Sequence, residues 1–254
     1  MGYSPVKHTL VRYFPRIFAL IPRKRLAMFP LALPLLENKA GLEIGGPSPL
    51  FRRWNQPLPI YDRVGTLDNC DFAWDTTWAS HSGDYLYSPR KKPGKTFFSE
   101  GFDLSEIAQS SYDFVLSCNN LEHMANPVRA LKEWRRVTRK GGALVLVLPY
   151  YARTFDYRRQ PTPVAHMLED FERGTQEDDL THLPEILELH DLRMDPGAGS
   201  FDQFRLRSLD NLKNRCLHHH VFDENNSRGL LEKVGMEVIA VERFSCHLFL
   251  LATF

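Results

Sequence analysis

Residues 143–148, Ala-Leu-Val-Leu-Val-Leu, are apolar at every position, and that run limits the fold more than any other part of the chain. A strand with one wet face alternates apolar and polar residues. A strand apolar throughout belongs to a parallel sheet covered by helices on both sides. The preceding residues fit this environment. Tyr112–Cys118 reads as a second buried strand, and a helix with marked ends lies between the two. Asn126 is its expected N-cap and Pro127 its first residue. Val128, Leu131, Trp134 and Val137 recur at helical spacing, while Arg129, Lys132 and Arg135 face outward. Arg139 and Lys140 suit the last turn, and Gly141-Gly142 a left-handed C-terminal cap. Strand, helix and buried strand make a βαβ unit, so the fold class is α/β.

The other elements extend this unit in both directions. Gly41–Gly46 reads as a short strand entering a glycine turn, Leu58–Asp62 as a second strand ending in a carboxylate, and Thr96–Phe98 as a third. Cys70–Lys95 is polar and without period, an irregular excursion. Near the C-terminus a helix over 226–234, capped by Gly235, leads into strands at Met236–Val241 and Leu248–Thr253. The short turn between these last two predicts an antiparallel hairpin. The expected architecture is a Rossmann-like, doubly wound, mostly parallel sheet of seven strands, closed by that hairpin. Tyr151–Asn214 breaks the pattern. It is rich in Arg, Asp, Glu, His and Pro, with helical spacing only at Pro163–Phe171 and Leu183–Leu192. A long polar insertion after the fifth strand is expected to be functional. We therefore divide the chain into an N-terminal arm (1–38) and a catalytic domain (39–254) that carries a substrate cap (151–221).

Composition excludes some functions. A net charge of +1 gives no concentrated basic face for nucleic acid. The four cysteines are widely separated, with no CxxC pair, which predicts free thiols in a reducing cytoplasm. The arm mixes aromatic and basic residues with prolines. Its longest uncharged run, Leu26–Leu36, is too short to span a bilayer and contains Pro30 and Pro34. It is expected to pack on the domain; the competing reading is peripheral contact with a membrane surface.

The glycine turn carries the first chemical signal. Gly45 and Gly46 after a strand let backbone amides approach an anionic or nucleoside-containing cofactor. Asp62, about 20 residues further on, has the spacing of a ribose-binding carboxylate. Glu100 and Asp103 after the third strand fall where an adenine amino group would be met.

Glu43-Ile44-Gly45-Gly46, Tyr61-Asp62, Asp113 to His123 (Asp-Phe-Val-Leu-Ser-Cys-Asn-Asn-Leu-Glu-His), Asn126-Pro127 and Arg136 to Pro149, in this order, resemble the class I S-adenosylmethionine-dependent methyltransferases of the type 11 group. The resemblance covers roughly Gly41–Pro149 and, more loosely, Asn226–Phe254. It implies S-adenosylmethionine as cofactor, with Glu43, Gly45 and Gly46 at its methionine end and Asp62 on the ribose hydroxyls. The turn Glu100-Gly101-Phe102-Asp103 would meet adenine, and Ser117, Cys118 and Asn119 would flank the sulfonium. Where the family's first loop has a third glycine-like position, this chain has Pro47-Ser48-Pro49.

The second signal lies in the insertion. His182, His190 and His218-His219-His220 place five of the chain's ten histidines within about forty residues. Three readings compete: ordinary structural histidines, a substrate pocket with one histidine as general base, and a metal site. No zinc-type spacing is present, so no metal is expected. For a hydroxyl acceptor the candidate bases are His182, His190 and His219. Arg158, Arg159 and Glu185 are the candidate substrate-binding residues. The expected activity is methyl transfer to a small molecule or glycan, foremost a sugar hydroxyl in surface-polysaccharide synthesis. The alternatives are a non-catalytic binding module and a nicotinamide-dependent oxidoreductase or epimerase. The latter would need a GxGxxG or GxxGxxG fingerprint, which the chain lacks, together with a catalytic Tyr-x-x-x-Lys pair.

Overall fold

The computed structural model describes residues 24–52, 54–75 and 83–254. Its centre is a sheet of eight strands: β1 (Ala40–Ile44), β2 (Thr66–Asp71), β3 (Asp84–Tyr85), β4 (Gly94–Phe98), β5 (Tyr112–Cys118), β6 (Thr138–Pro149), β7 (Glu237–Phe244) and β8 (His247–Thr253). Their spatial order is β3-β4-β2-β1-β5-β6-β8-β7. From β4 to β6 every pairing is parallel, whereas β6/β8, β8/β7 and β3/β4 are antiparallel. The expected doubly wound sheet with a closing hairpin is present. The eighth strand is Asp84–Tyr85, which lies within the stretch expected to be irregular.

Each central strand divides its side chains between two apolar layers, as a sheet covered on both faces requires. In β6, Leu144, Leu146 and Leu148 join one layer, and Ala143, Val145 and Val147 the other. The first layer is completed by α3 (Pro127–Val137) and α8 (Glu224–Lys233). The second is completed by α1 (Phe29–Leu36), whose Phe29, Ala32 and Leu36 are buried, and by Phe51 of the short α2 (Pro49–Arg52). The apolar end of the arm therefore lies in the core. The Glu242 carboxylate of β7 accepts the N–H groups of Ala27 and Met28 at the start of α1. The rest of the arm, residues 1–23, lies outside the described residues. Among the described residues no helix is long and apolar enough to cross a membrane.

α3 begins as its sequence predicts, with the Asn126 side chain accepting from the Arg129 N–H at 3.0 Å. Its other end differs. The helix stops at Val137, and Thr138 opens β6 with its hydroxyl bonded to the Trp134 carbonyl. Arg139 lies on the strand and pairs with Asp113. The left-handed Gly141 (φ +74°) sits in a register irregularity of β6, not at a helix cap. The second strand also differs. Leu58, Ile60 and Tyr61 are buried, but the strand is the more polar Thr66–Asp71.

The insertion contains α4 (Val164–Arg173), α5 (Leu183–Leu189), α6 (Phe201–Leu209) and α7 (Asn211–Asn214). The first two agree with the helical spacing in the sequence. α6 was not anticipated, although Ser200 and Gln203 form a capping box at its start. α5 and α6 share a small apolar cluster of Leu183, Ile186, Ala198, Phe204 and Leu217, whereas Met167 of α4 joins the main core.

Trp134 links the core to the sheet edge: it is fully buried and its Nε1 donates to the Gly101 carbonyl at 2.7 Å. Trp134→Phe is expected to lower unfolding free energy by about 1–3 kcal/mol through the orphaned carbonyl. Trp134→Ala should cost about 3–5 kcal/mol by adding a cavity. Urea unfolding of the two variants measures both.

Candidate active site

The chain passes from β1 outward to β2 and β4, then returns to β5 on the other side of β1. Ligands of open α/β sheets bind outside the carboxyl ends of the strands at such a reversal. A cleft of about 770 Å³ lies there. Its floor contains Gly45 and Gly46 after β1, Asp71 and Phe72 at the end of β2, Glu100, Gly101 and Phe102 after β4, and Cys118 and Asn119 at the end of β5. The cap closes the other side with Phe155, Asp195, Arg207, Arg215, Cys216 and His218.

The first loop is shaped from beneath. Gly45 is left-handed (φ +72°), and a Cβ there would lie 2.2 Å from Asn120 Nδ2. Glu43 does not reach the cleft. Its side chain is fully buried and accepts hydrogen bonds from the hydroxyls of Tyr61 and Tyr85 and from the Ser48 N–H. Asn69 Oδ1 accepts the Gly46 N–H at 2.9 Å. The role expected of Glu43 at the methionine end thus becomes support of the loop.

Asp62 is a second correction. It lies in the turn before β2, remote from the carboxyl edge, bonded to Ser88 and paired with Arg90. The carboxylate at the end of the true second strand is Asp71. The misplacement follows from taking the buried Leu58–Tyr61 run as the strand. Glu100, Gly101 and Phe102 border the cleft, with Glu100 paired to Arg215 of the cap. Asp103 lies instead in a neighbouring groove with Arg129, Lys132 and Arg136. Ser117 is enclosed in the sheet, while Cys118 and Asn119 reach the cleft. Asn119 Nδ2 lies 3.2 Å from His247 Nε2.

None of the three candidate bases lines the cleft. His190 is sandwiched between Phe155 and Phe204, with ring centroids 4.3 Å from each. His219 is buried against Asn211, and burial with its neighbouring imidazoles pushes its pKa down to about 3. His182 lies beside His166 on another side of the cap. The candidate substrate-binding residues are also structural. Arg159 is 1% exposed and bonded to Asp156, Glu185 and the carbonyl of His218. Arg158 lies against Tyr157 and Asp191.

The imidazoles that do border the cleft are His123, His218 and His247. His218 Nδ1 is 2.6 Å from Asp156 Oδ2, and Arg159 holds the other oxygen of that carboxylate. Burial alone would lower the His218 pKa, but Asp156 and Glu122 outweigh it and hold it above the ordinary value. His123 Nδ1 lies 3.0 Å from the Leu217 carbonyl. Glu122, His123 and His218 each offer one ligand atom, all within 4.8 Å of one another, a set able to hold a cation. His218 belonged to a noted histidine run; His123 belonged to the family-like segment and had no chemistry assigned to it. The sequence signal for both is their polarity within buried surroundings, which becomes specific only when the fold brings them together.

The oxidoreductase alternative finds no support here. A Tyr-x-x-x-Lys spacing does occur at Tyr87–Lys91, but Tyr87 is buried against Tyr61 and Tyr85, and Lys91 Nζ donates to the Val64 carbonyl.

A switch-point cleft with a glycine turn and acids on successive strand ends defines a Rossmann-like α/β protein built for a nucleoside-containing cofactor. Residues 89–146, from before β4 into β6, match a family model described as a methyltransferase domain, of the type 11 group. The chain is similar in fold to an S-adenosylmethionine-dependent methyltransferase from Mesorhizobium loti. That structure is 14% identical, with 90% of this chain and 98% of the other covered and a TM-score of 0.51. A Methanosarcina mazei protein described in the same terms is 17% identical over 90% of this chain and 98% of its own, with a TM-score of 0.49. No curated protein matches the chain. The family match thus covers residues 89–146, and the likeness to the Mesorhizobium loti structure is one of fold.

Burial raises the Glu43 pKa to about 7 despite the three donors around it. Because the folded value exceeds the unfolded one, the stabilising contribution is complete below pH 4.5 and is lost as pH rises through about 7. Glu43→Gln should therefore match the wild type near pH 5 and exceed it at pH 8, by on the order of 1–3 kcal/mol. Chemical unfolding at the two pH values reads the difference.

Proposed function

We propose that the chain is a class I S-adenosylmethionine-dependent methyltransferase acting on a hydroxyl of a sugar-like, polyhydroxylated acceptor held between the sheet edge and the cap, with His218 receiving the hydroxyl proton. The observation that carries this reading is the His218–Asp156 pair on the cleft wall. A hydroxyl must lose its proton at or near transfer, which calls for a positioned base. Asp156, fixed by Arg159, takes the Nδ1–H of His218 and leaves Nε2 as the proton acceptor. The flanking Glu122, Glu177, Asp195 and Arg207 offer hydrogen-bond partners to several hydroxyls, and Phe155 offers an apolar face for a sugar ring. Such a wall suits a glycan better than an apolar amine.

S-adenosylmethionine supplies a methyl already activated on its sulfonium, so the protein's chief task is alignment. We assign the ribose to Asp71, adenine to the Glu100–Phe102 turn, and the methionine end to Gly45, Gly46, Cys118 and Asn119. The four cysteines are free, which supports the placement in a reducing cytoplasm.

A second reading has a specific observation behind it. Both Nδ1 atoms of His123 and His218 face acceptors, the arrangement that orients imidazole ligands of a metal. A divalent cation held with Glu122 would then acidify the acceptor hydroxyl in place of a histidine base. Activity that chelators abolish and Mg²⁺ or Mn²⁺ restores selects this version; activity indifferent to both selects the base.

Two experiments test the proposal. Calorimetry with S-adenosylhomocysteine should show binding about 10–100-fold weaker in Asp71→Ala and unchanged in Asp62→Ala. The acceptor is sought among free and nucleotide-linked sugars and amines, by following a labelled methyl group. With the acceptor so found, His218→Ala and Asp156→Asn should lower kcat by about 10²–10⁴ while cofactor affinity is retained. Methylation confined to amines, or a kcat untouched by these changes, refutes the hydroxyl assignment.

A further inference from the structure

We propose that His166, His182, His220 and Asp170 form a structural zinc site that staples the cap together, apart from the substrate cleft. The four residues come from three segments. His166 and Asp170 lie one turn apart on α4, His182 precedes α5, and His220 lies on the extended chain leading to α8. The Nε2 atoms of His166 and His182 are 3.1 Å apart. Asp170 Oδ2 is 3.1 Å from His220 Nε2 and 3.4 Å from His166 Nε2. The three histidines each have a ring nitrogen within 4.8 Å of the others'. Ligands about 2.0–2.1 Å from a tetrahedral zinc ion stand about 3.4 Å from one another, and the three distances of 3.1, 3.1 and 3.4 Å match edges of such a tetrahedron.

Proton bookkeeping leads to the same conclusion. An imidazole nitrogen has one in-plane direction, carrying either a hydrogen or a lone pair. His166 Nε2 is within reach of both His182 Nε2 and Asp170 Oδ2, and one hydrogen satisfies only one of them. A cation at the centre accepts all three nitrogen lone pairs and the carboxylate oxygen together.

The surroundings orient the ligands. Thr175 Oγ1 donates to Asp170 Oδ1 at 3.0 Å, leaving Oδ2 for the histidines. The Asp170 carbonyl accepts Asn126 Nδ2 at 3.1 Å, which ties the cluster to the N-terminus of α3. Glu185 Oε2, held by Arg159, lies 4.0 Å from His182 Nδ1, on the side away from the shared centre. His220 is 1% exposed while the His166 side chain is 33% exposed, so an ion has a way in from one side. Three imidazoles and a carboxylate are a zinc-type donor set. Four protein ligands leave no position for substrate, which makes the site structural. The cap needs such a staple, because its own apolar cluster is small and small units commonly gain stability from a metal.

The test uses the full chain. After chelator treatment, Zn²⁺ titrated by calorimetry should bind at this site at submicromolar Kd and raise Tm. His166→Gln and His182→Gln should each lose that equivalent or weaken it at least about 100-fold. Glu122→Gln, in the cleft cluster, should keep it. Wild-type crystals soaked in Zn²⁺, measured across the zinc absorption edge, should show an anomalous peak among His166, His182 and His220. This measurement decides the matter even if the variants fail to fold. Wild-type protein that binds no Zn²⁺, variants that bind it undiminished, or a peak absent from this position overturns the site.

Discussion

The cofactor loop depends on a carboxylate that has no water around it. Glu43, next to last in β1, points under the chain, where Tyr61, Tyr85 and the Ser48 amide converge on it. Removing a carboxylate from water is costly unless hydrogen bonds replace the solvent, and here two phenols and an amide do so only in part, since burial still raises its pKa to about 7. The tyrosines in turn pack against Tyr87 and Phe51, so the loop's foundation is continuous with one apolar layer of the sheet. This explains how Pro47-Ser48-Pro49 can stand where a third glycine-like residue would be usual. The loop does not rely on backbone freedom throughout; it is held from below, with left-handed geometry required at Gly45.

What the sequence revealed follows the range of the interactions involved. α3 was readable because its start is local chemistry, a cap and a proline. The unbroken apolar β6 identified itself through the layers on either side. β2 was not readable, because its polar residues are satisfied by distant partners. Asn69 accepts from Gly46, and Asp68 accepts from Tyr112 and from the Lys95 amide. Read alone, Thr-Leu-Asp-Asn-Cys-Asp has the composition of a loop, while Leu58–Tyr61 has that of a strand and is merely buried. For this reason Asp62, expected at the end of the second strand, lies before it, and Asp71 ends it.

The histidines show the same limit more sharply. His182 and His190 flank the two ends of α5 and point into different environments. His218, His219 and His220 separate into three: one towards the cleft, one into the cap interior against Asn211, one towards Asp170. Adjacent residues on an extended chain alternate in direction, so a run of three serves more than one place. Arg159 lies behind all of them. It bonds to the carboxylates of Asp156 and Glu185 and to the carbonyls of His218 and His219, a buried cation at the centre of a polar network. Burying a charge is tolerated because its donors are satisfied; truncating it would strand two carboxylates at once.

The cap and the cofactor edge are therefore one mechanical unit, joined through the segment between β5 and α3. Glu177 of the cap accepts the Ala125 amide, the Asp170 carbonyl holds Asn126, and the Leu217 carbonyl faces His123 Nδ1. Arg215 reaches across to Glu100 at the end of β4. In the proposed function the same few residues would border the donor site on one side and carry the acceptor wall on the other. In-line transfer between two bound molecules demands that their separation be fixed, and a shared segment fixes it more rigidly than two independently mobile walls would. A cap with a small apolar core gains its rigidity from these polar ties, which explains why so much of its sequence is charged and yet buried.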